Sequence, residues 1–164
     1  MTQIRIRHAI HLIRQPNPSN VCWAASVAMT VGHGASIASV RAAAEAAGVR
    51  IHANGSLPVN DIANARLLAR TFRLQTADVR TAPVTLEMII AWLRRGKFAM
   101  LGGFNYRNRR TALDHAVTFF GVRGDGTARQ TYLRIADPQG GLFRDDWDNF
   151  ENDTLADPHF VLHK

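Results

Sequence analysis

The chain of 164 residues has a single cysteine, Cys22. One thiol cannot close an intramolecular disulfide, so this group is either a buried core atom or a reactive one. Long hydrophobic runs are also missing, and no segment approaches the roughly 18 consecutive apolar residues of a transmembrane helix. The first residues alternate basic and apolar side chains, without the continuous apolar core of a signal peptide. We therefore expect a cytoplasmic protein that does not enter a membrane.

Lysine is scarce: only Lys97 and Lys164 accompany the arginines among the 20 basic residues. The net charge of +7 is uneven, since residues 1–112 hold 15 Lys/Arg and 4 Asp/Glu (+11), whereas residues 113–164 hold 5 and 9 (−4). This division fits an acidic protein partner, a nucleic-acid surface or a bias towards arginine in composition. No helix-turn-helix, zinc-finger or RNP-like pattern accompanies the arginines, so nucleic acid is the less favoured partner.

Length and composition predict one domain over residues 1–164, with 46% hydrophobic and 20% charged residues. The histidines other than His115 lack carboxylate or thiolate companions at zinc spacing, so we expect no metal and no cofactor.

Hydrophobic periodicity predicts helices before strands. A strand with a period of two over 4–12 precedes helices at 21–32, 36–47 and 59–72, and a fourth around Leu86–Leu93 between Thr85 and Gly96. The period then returns to two, which predicts strands at 98–104, 115–122, 131–136 and 160–162, with a hairpin turn at 123–126. This order predicts an α+β fold, with a boundary between two lobes near residues 77–84.

Three residues in this pattern form a candidate catalytic set. Cys22 lies in the first turn of a predicted helix, where free N–H groups and the helix dipole stabilise a thiolate. His115 opens one predicted strand and Asp137 ends the next. If these strands pair through the turn at 123–126, both side chains lie at the same end of the ladder. A thiolate, a base and a group that orients the base are the parts of a covalent catalyst.

The motifs Cys22-Trp23-Ala24-Ala25-Ser26, Asp114-His115-Ala116-Val117 and Ile135-Ala136-Asp137-Pro138 occur in the order found in papain-like cysteine proteases. The chain most resembles the compact bacterial members, namely bacteriocin-processing (double-glycine) peptidases and Cys-His-Asp effector proteases. The resemblance implies a papain-like fold, with the nucleophile at the start of the central helix and a C-terminal antiparallel sheet. It further implies that Cys22 is the nucleophile, His115 the base, Asp137 the orienting residue and Gln15 the oxyanion donor.

The sequence departs from the family pattern around Gln15. This residue lies seven positions before Cys22 instead of the usual six. A wider loop containing Pro16 and Pro18 would absorb the extra residue, and Asn17 or Asn20 is an alternative donor. Asp137 replaces the asparagine of the plant enzymes and still accepts from an imidazole N–H.

Three further residues are candidates for substrate binding. Trp23 follows the nucleophile and either contacts substrate or packs in the core. Gly102 and Gly103 end a predicted strand, where they either leave backbone free to pair with an extended peptide or form a bulge.

The expected reaction is hydrolysis of a peptide bond in a protein through a thioester intermediate. The same machinery serves a glutamine deamidase, a transglutaminase-like enzyme or a cell-wall amidase, and a degenerate Arg-rich binding module is the alternative from another class. Since no prosegment precedes the motifs, we expect a bacterial effector or toxin domain, delivered by a secretion system and restrained by an acidic inhibitor or immunity protein.

Overall fold

A computed structural model describes residues 3–16, 19–58, 60–106, 109–110 and 115–164. The helices are α1 (Cys22–Val31), α2 (Ile37–Ala46), α3 (Ile62–Thr71), α4 (Leu86–Arg95) and the short α5 (Trp147–Asn149), which a π-helical turn (Phe150–Thr154) follows. The strands are β1 (Ile4–Arg7), β2 (Gln75–Asp78), β3 (Phe98–Tyr106), β4 (Arg109–Arg110), β5 (His115–Gly124), β6 (Thr131–Asp137), β7 (Gly141–Asp146) and β8 (Leu155–His163). The α+β class is confirmed.

The four predicted helices form, and side chains cap three of them. Ser36, Asp61 and Thr85 each accept from a backbone N–H in the first turn of α2, α3 and α4. Such caps satisfy N–H groups that have no partner within the helix. The helix α1 lacks a side-chain cap, and all of its residues from Cys22 to Thr30 are buried. Tertiary packing therefore stabilises α1.

All strand pairs are antiparallel, and the sheet order is β2-β8-β3-β5-β6-β7. The strand β1 pairs with the far end of β5, and β4 pairs with the end of β3. Two expectations need correction. The first strand ends at Arg7 instead of residue 12, and the boundary near residues 77–84 does not divide helices from strands, because β1 and β2 belong to the same sheet as the later strands.

The sheet has apolar layers on both faces. Large side chains of α4, β3 and β5, among them Leu93, Phe98 and Phe119, form one cluster. The helices α1 and α2 cover the other face, where the sheet presents Ala99 and Ala116. Small side chains let α1 lie close to the strands, and Thr118 Oγ1 on β5 donates to Ser26 O of α1 at 2.8 Å. This contact fixes the helix that carries Cys22 against the strand that carries His115.

No helix among the described residues is long and apolar enough to cross a membrane.

Candidate active site

Cys22 is the first residue of α1, as the sequence predicts. Val21 before it provides no side-chain hydrogen bond to the first turn. The positive end of the helix dipole and the N–H groups of this turn therefore lie beside the thiol. The residue is 8% exposed.

His115 and Asp137 form a buried pair at one end of the β5–β6 ladder. His115 Nε2 lies 2.8 Å from Asp137 Oδ1, and the two side chains are 3% and 5% exposed. The imidazole is also hydrogen-bonded to the side chain of Cys22. Since Nε2 faces the carboxylate, Nδ1 is the ring nitrogen left for the sulfur. The three side chains thus form one hydrogen-bonded chain from thiol to carboxylate.

The surroundings of His115 favour its protonated form. Burial acts to lower the pKa, but the hydrogen bond that His115 donates to Asp137, the hydrogen bond with Cys22 and the charges of Cys22 and Asp137 together raise it to about 9. An imidazolium between a thiolate and a carboxylate is stabilised on both sides. His115 is therefore protonated at neutral pH.

Asp137 is fixed by the turn that it begins. Its Oδ1 accepts from the backbone N–H of Gln139 at 2.8 Å, in addition to His115. Asp137 pairs with Gly141 across the β6–β7 turn, and a Cβ on Gly140 would lie 2.9 Å from Asp137 Oδ2. Both oxygens of the carboxylate are therefore confined. The residue forms a turn and accepts from His115 at the same time.

Gln15 lies beside this turn. Its backbone N–H donates to Pro138 O at 3.0 Å, which places it next to the residue after Asp137. Its side-chain Nε2 donates to Ser19 O at 2.8 Å and lies 3.3 Å from Ser19 Oγ. The buried Oε1 has no hydrogen-bond partner among the described residues.

Of the two alternative donors, Asn20 belongs to the described residues. Asn20 Nδ2 donates to Asn54 O at 3.3 Å in an exposed contact. Asn17 lies outside the described residues. Between Gln15 and Asn20, only Gln15 is buried and attached to the β6–β7 turn.

Trp23 lies in the core beneath α1. It is 2% exposed, and its indole N–H donates to Gly55 O at 2.8 Å. The core interpretation of Trp23 agrees with this placement.

Gly102 and Gly103 do not lie at a free strand end, which corrects that expectation. Gly102 is paired with His115 on β5 and with Pro158 on β8. The register between β3 and β8 shifts on either side of the two glycines, and a Cβ on Gly102 would lie 2.4 Å from Asp157 O. Close approach of β8 at a bulge explains the glycines.

Phe104, Gln139 and Gly140 lie beside the candidate triad, and they are not among the site residues that the sequence predicts. The Phe104 ring stands edge-on to His115, with centroids 6.3 Å apart. It contacts the imidazole only because β3 lies beside β5, a tertiary relationship that local periodicity does not reveal. Gly140 belongs to the sequence Asp137-Pro138-Gln139-Gly140-Gly141, whose turn composition was the available signal.

No group of three or more His, Cys, Asp or Glu side chains in the described part of the chain could hold a metal ion.

The sequence matches no protein-family model and no curated protein. The solved structures that resemble the whole fold include a protease and a peptidase. A double glycine motif protease from an AMS/PCAT transporter, solved in complex with the leader peptide, has 18% identity and a TM-score of 0.55, with 100% of both chains covered. A putative C39-like peptidase from Bacillus anthracis has 12% identity and a TM-score of 0.58, with 98% of both chains covered. The chain therefore has the papain-like fold of these C39-type peptidases, which confirms the fold that its motifs predict.

Proposed function

We propose that the protein is a cysteine peptidase that hydrolyses peptide bonds in a protein substrate. The observation that carries this proposal is the buried hydrogen-bonded chain of Cys22, His115 and Asp137 at the start of α1. A structural ion pair would not need a thiol at a helix N-terminus as its third member. The combination of nucleophile, base and orienting carboxylate is that of covalent catalysis.

Acylation begins when the Cys22 thiolate attacks the carbonyl carbon of the substrate. A C–S bond forms, and the carbonyl electron pair moves onto oxygen. The backbone N–H of Cys22 in the first turn of α1 and the side chain of Gln15 stabilise this oxyanion. The electron pair then returns, the C–N bond breaks, and the His115 imidazolium gives its proton to the leaving amine. Asp137 keeps the ring oriented throughout.

Deacylation uses the same groups, and His115 now acts as a base instead of an acid. Neutral His115 removes a proton from water, whose oxygen attacks the thioester carbon. The C–S bond breaks, the carboxylic acid product leaves, and the thiolate and imidazolium are restored. Water is the only co-reactant, so the step balances without a cofactor or metal.

A peptide substrate is favoured because both structural neighbours are named as peptidases and one is bound to a leader peptide. Glutamine deamidation, transglutamination and cell-wall amide hydrolysis use the same acyl chemistry on other amides. A degenerate binding module would retain the fold without a reactive thiol. Thiol reactivity distinguishes this last possibility from all the enzymes.

The first test is alkylation of the folded protein with iodoacetamide. Because Cys22 is the only cysteine, uptake of the label reports on this residue alone. We expect rapid labelling near neutral pH, slower labelling in His115→Ala, and a rate in the wild type well above that of the unfolded chain. A wild-type rate no greater than that of the unfolded chain would support the binding module.

The second test identifies the reaction. Mass spectrometry of new protein N-termini should show cleavages in cells that express the wild type and none with Cys22→Ala. Conversion of glutamine to glutamate in place of new termini would identify a deamidase, and cross-linked glutamines a transglutaminase.

An effector or toxin role, with an acidic inhibitor or immunity protein, is a separate proposal that the basic charge of residues 1–112 supports. The test is to capture binding proteins with the purified chain and to measure how fast each one associates with it. This association rate should fall as added salt screens the charge. An association rate independent of salt would contradict it.

A further inference from the structure

Five arginines lie on one face of the sheet formed by β1, β5, β6 and β7, and we name them the arginine face: Arg5, Arg7, Arg123, Arg134 and Arg144. Strand register places them in two rows. In one row Arg7 and Arg134 flank Gly121, and Arg144 lies opposite Arg134. In the other row Arg5 lies opposite Arg123, which lies opposite Tyr132.

The residues between these arginines point the other way. Ile4, Ile6, Val122 and Leu133 belong to the apolar cluster under α4 or pack against it. Residues that alternate along a strand face opposite sides, and residues in register face the same side. All five arginines therefore lie on the same side of the sheet as α1. They occupy the part of that side that extends beyond the helix, farther from Cys22. Arg5, Arg7 and Arg123 are exposed.

The arginine face holds one carboxylate in its rows, Asp146 opposite Tyr132, and its Oδ1 accepts from the Asn149 N–H. None of the five forms an ion pair with another residue in the described part of the chain. Burial and then the charges of Arg7, Arg144, Arg123 and Arg5 lower the pKa of Arg134. Like charges directly opposite each other destabilise a sheet. Folding therefore concentrates positive charge here against an energetic cost, which a bound anionic partner would offset.

The size and borders of this face favour a short acidic polypeptide over nucleic acid. Four strands and two rows span about 14 Å by 7 Å. Carboxylates stand at two ends of the face: Asp125 follows the end of β5, and Asp146 ends the second row on β7. A nucleic acid that crossed the sheet would meet these charges, whereas a few carboxylates fit within the basic area. Guanidinium groups bind carboxylates through two parallel hydrogen bonds, and Arg144 is held over the Tyr132 ring at 4.9 Å.

The arginine face lies a short backbone distance from the candidate active site. Arg134 and Asp137 lie on the same strand, three residues and therefore about 10 Å apart, and this odd interval places their side chains on opposite faces of the sheet. Arg123 on β5 lies opposite Tyr132 on β6. Tyr132 is five residues, and therefore about 17 Å, from Asp137 along β6. An extended polypeptide covers these distances in about three to five residues.

We propose that the arginine face binds an acidic segment of the protein substrate, a few residues away from the bond that is cleaved. The identity of the occupant rests on the proposed peptidase function, whereas binding of an acidic polypeptide does not. The two are therefore tested separately.

Binding is measured in the Cys22→Ala protein, so that turnover plays no part. The probe is a fluorescent oligoglutamate peptide, followed by anisotropy at low salt. The face variant Arg5→Gln/Arg123→Gln removes two opposite charges, and the control Arg66→Gln/Arg70→Gln removes two exposed arginines one turn apart on α3. We expect the face variant to weaken binding by about tenfold or more and the control by less than about threefold.

Equal weakening in both variants would show that net charge alone binds the probe, and would overturn the proposal. Absence of wild-type binding would do the same. An oligothymidylate of equal charge that binds more tightly, and loses affinity in the face variant, would assign the face to nucleic acid instead. Thermal unfolding checks that the face variant is folded, and its Tm should equal or exceed that of the wild type because like-charge repulsion is removed.

The substrate is tested with the active protein. Cleaved sites should carry Asp or Glu clusters beyond about three residues from the cleaved bond, and the face variant should cleave these proteins more slowly with a raised KM. Short neutral peptides spanning the same bonds should be cleaved at the wild-type rate. Equal cleavage of both kinds of substrate by the two proteins would overturn the substrate assignment, whereas failure of all cleavage would instead reject the peptidase function.

Discussion

Gly140 lies against the carboxylate that accepts from His115: a Cβ at position 140 would stand 2.9 Å from Asp137 Oδ2. The φ angle of Gly140 is outside the left-handed region, so alanine suits the backbone there and only the carboxylate has to move. We expect Gly140→Ala to lower kcat by about 10-fold to 100-fold through misplacement of Asp137 and His115. Steady-state kinetics measures this.

Gln139→Ala is the matched control for that variant. It alters an exposed neighbour and keeps the backbone N–H that donates to Asp137 Oδ1, so activity should stay near the wild-type value. Full activity in Gly140→Ala would show that the carboxylate position tolerates the extra methyl group.

We expect the pKa of His115 to set the alkaline limit of the proposed peptidase activity. The imidazolium persists up to about pH 9 and is lost above it, so kcat/KM should fall as the pH rises through this value because the leaving amine then lacks a proton donor. Asp137→Asn removes one charge that raises this pKa, and the alkaline midpoint should move to lower pH. Asp157→Asn, in the separate pair with His159 (2.9 Å), should leave the midpoint in place. An unmoved midpoint in Asp137→Asn would assign the limit to another group.

Substitution of Asp137 by asparagine should also be milder than substitution by alanine. His115 Nε2 and the Gln139 N–H meet the same oxygen, Oδ1, and an amide oxygen at that position can accept from both. We expect kcat/KM to fall about tenfold in Asp137→Asn and about 100-fold or more in Asp137→Ala. Equal losses would show that the charge, and not the hydrogen bond, is required.

The role of Gln15 as oxyanion donor predicts an effect confined to the transition state. Gln15→Ala should lower kcat by on the order of 100-fold to 1,000-fold with little change in KM. Ser19→Ala keeps the backbone oxygen that accepts from Gln15 and should be mild, as should Asn20→Ala. A silent Gln15→Ala together with a severe Asn20→Ala or Asn17→Ala would move the donor role to an asparagine.

Attachment of α1 to β5 is tested by Thr118→Val. The side chain is buried, and its hydroxyl donates to Ser26 O at 2.8 Å. Loss of this hydrogen bond should lower the free energy of unfolding by about 1 kcal/mol, since Thr30 Oγ1 still donates to the same oxygen. Chemical denaturation measures the difference, and Thr71→Val, which loses a hydroxyl bonded within α3, is the control for helix effects alone.

The fold was most predictable where packing imposes a regular period. The helices α1 to α4 and the strands β3, β5 and β6 have apolar faces or continuous buried runs, so local pattern reveals them. β2 and β7 were missed because each is a short edge strand at the end of the sheet order, with the polar sequences Gln-Thr-Ala-Asp and Gly-Leu-Phe-Arg-Asp-Asp. β8 was predicted only at 160–162 because its first residues are largely polar and include Pro158.

The candidate site was predictable for those residues whose side chains have a characteristic chemistry, such as a thiol, an imidazole or a carboxylate. Cys22, His115 and Asp137 come together as their positions on α1, β5 and β6 predict. Phe104 and Gly140 have no chemistry of their own, and their contacts depend on strand neighbours and on a turn. Their catalytic relevance, like the roles of the triad and of Gln15, stays a prediction for the variants above.

The hydrogen bond from the Gln15 N–H to Pro138 O has a consequence for how such proteins diverge. Gln15 is anchored to the β6–β7 turn through its backbone, and its side-chain Nε2 also donates to Ser19 O, three residues before Cys22. An insertion between Gln15 and Ser19 would lengthen the chain between two points that are already joined, so the backbone of Gln15 could keep its place beside Asp137. Comparisons that require a fixed interval before the cysteine would overlook chains whose glutamine is held in this way.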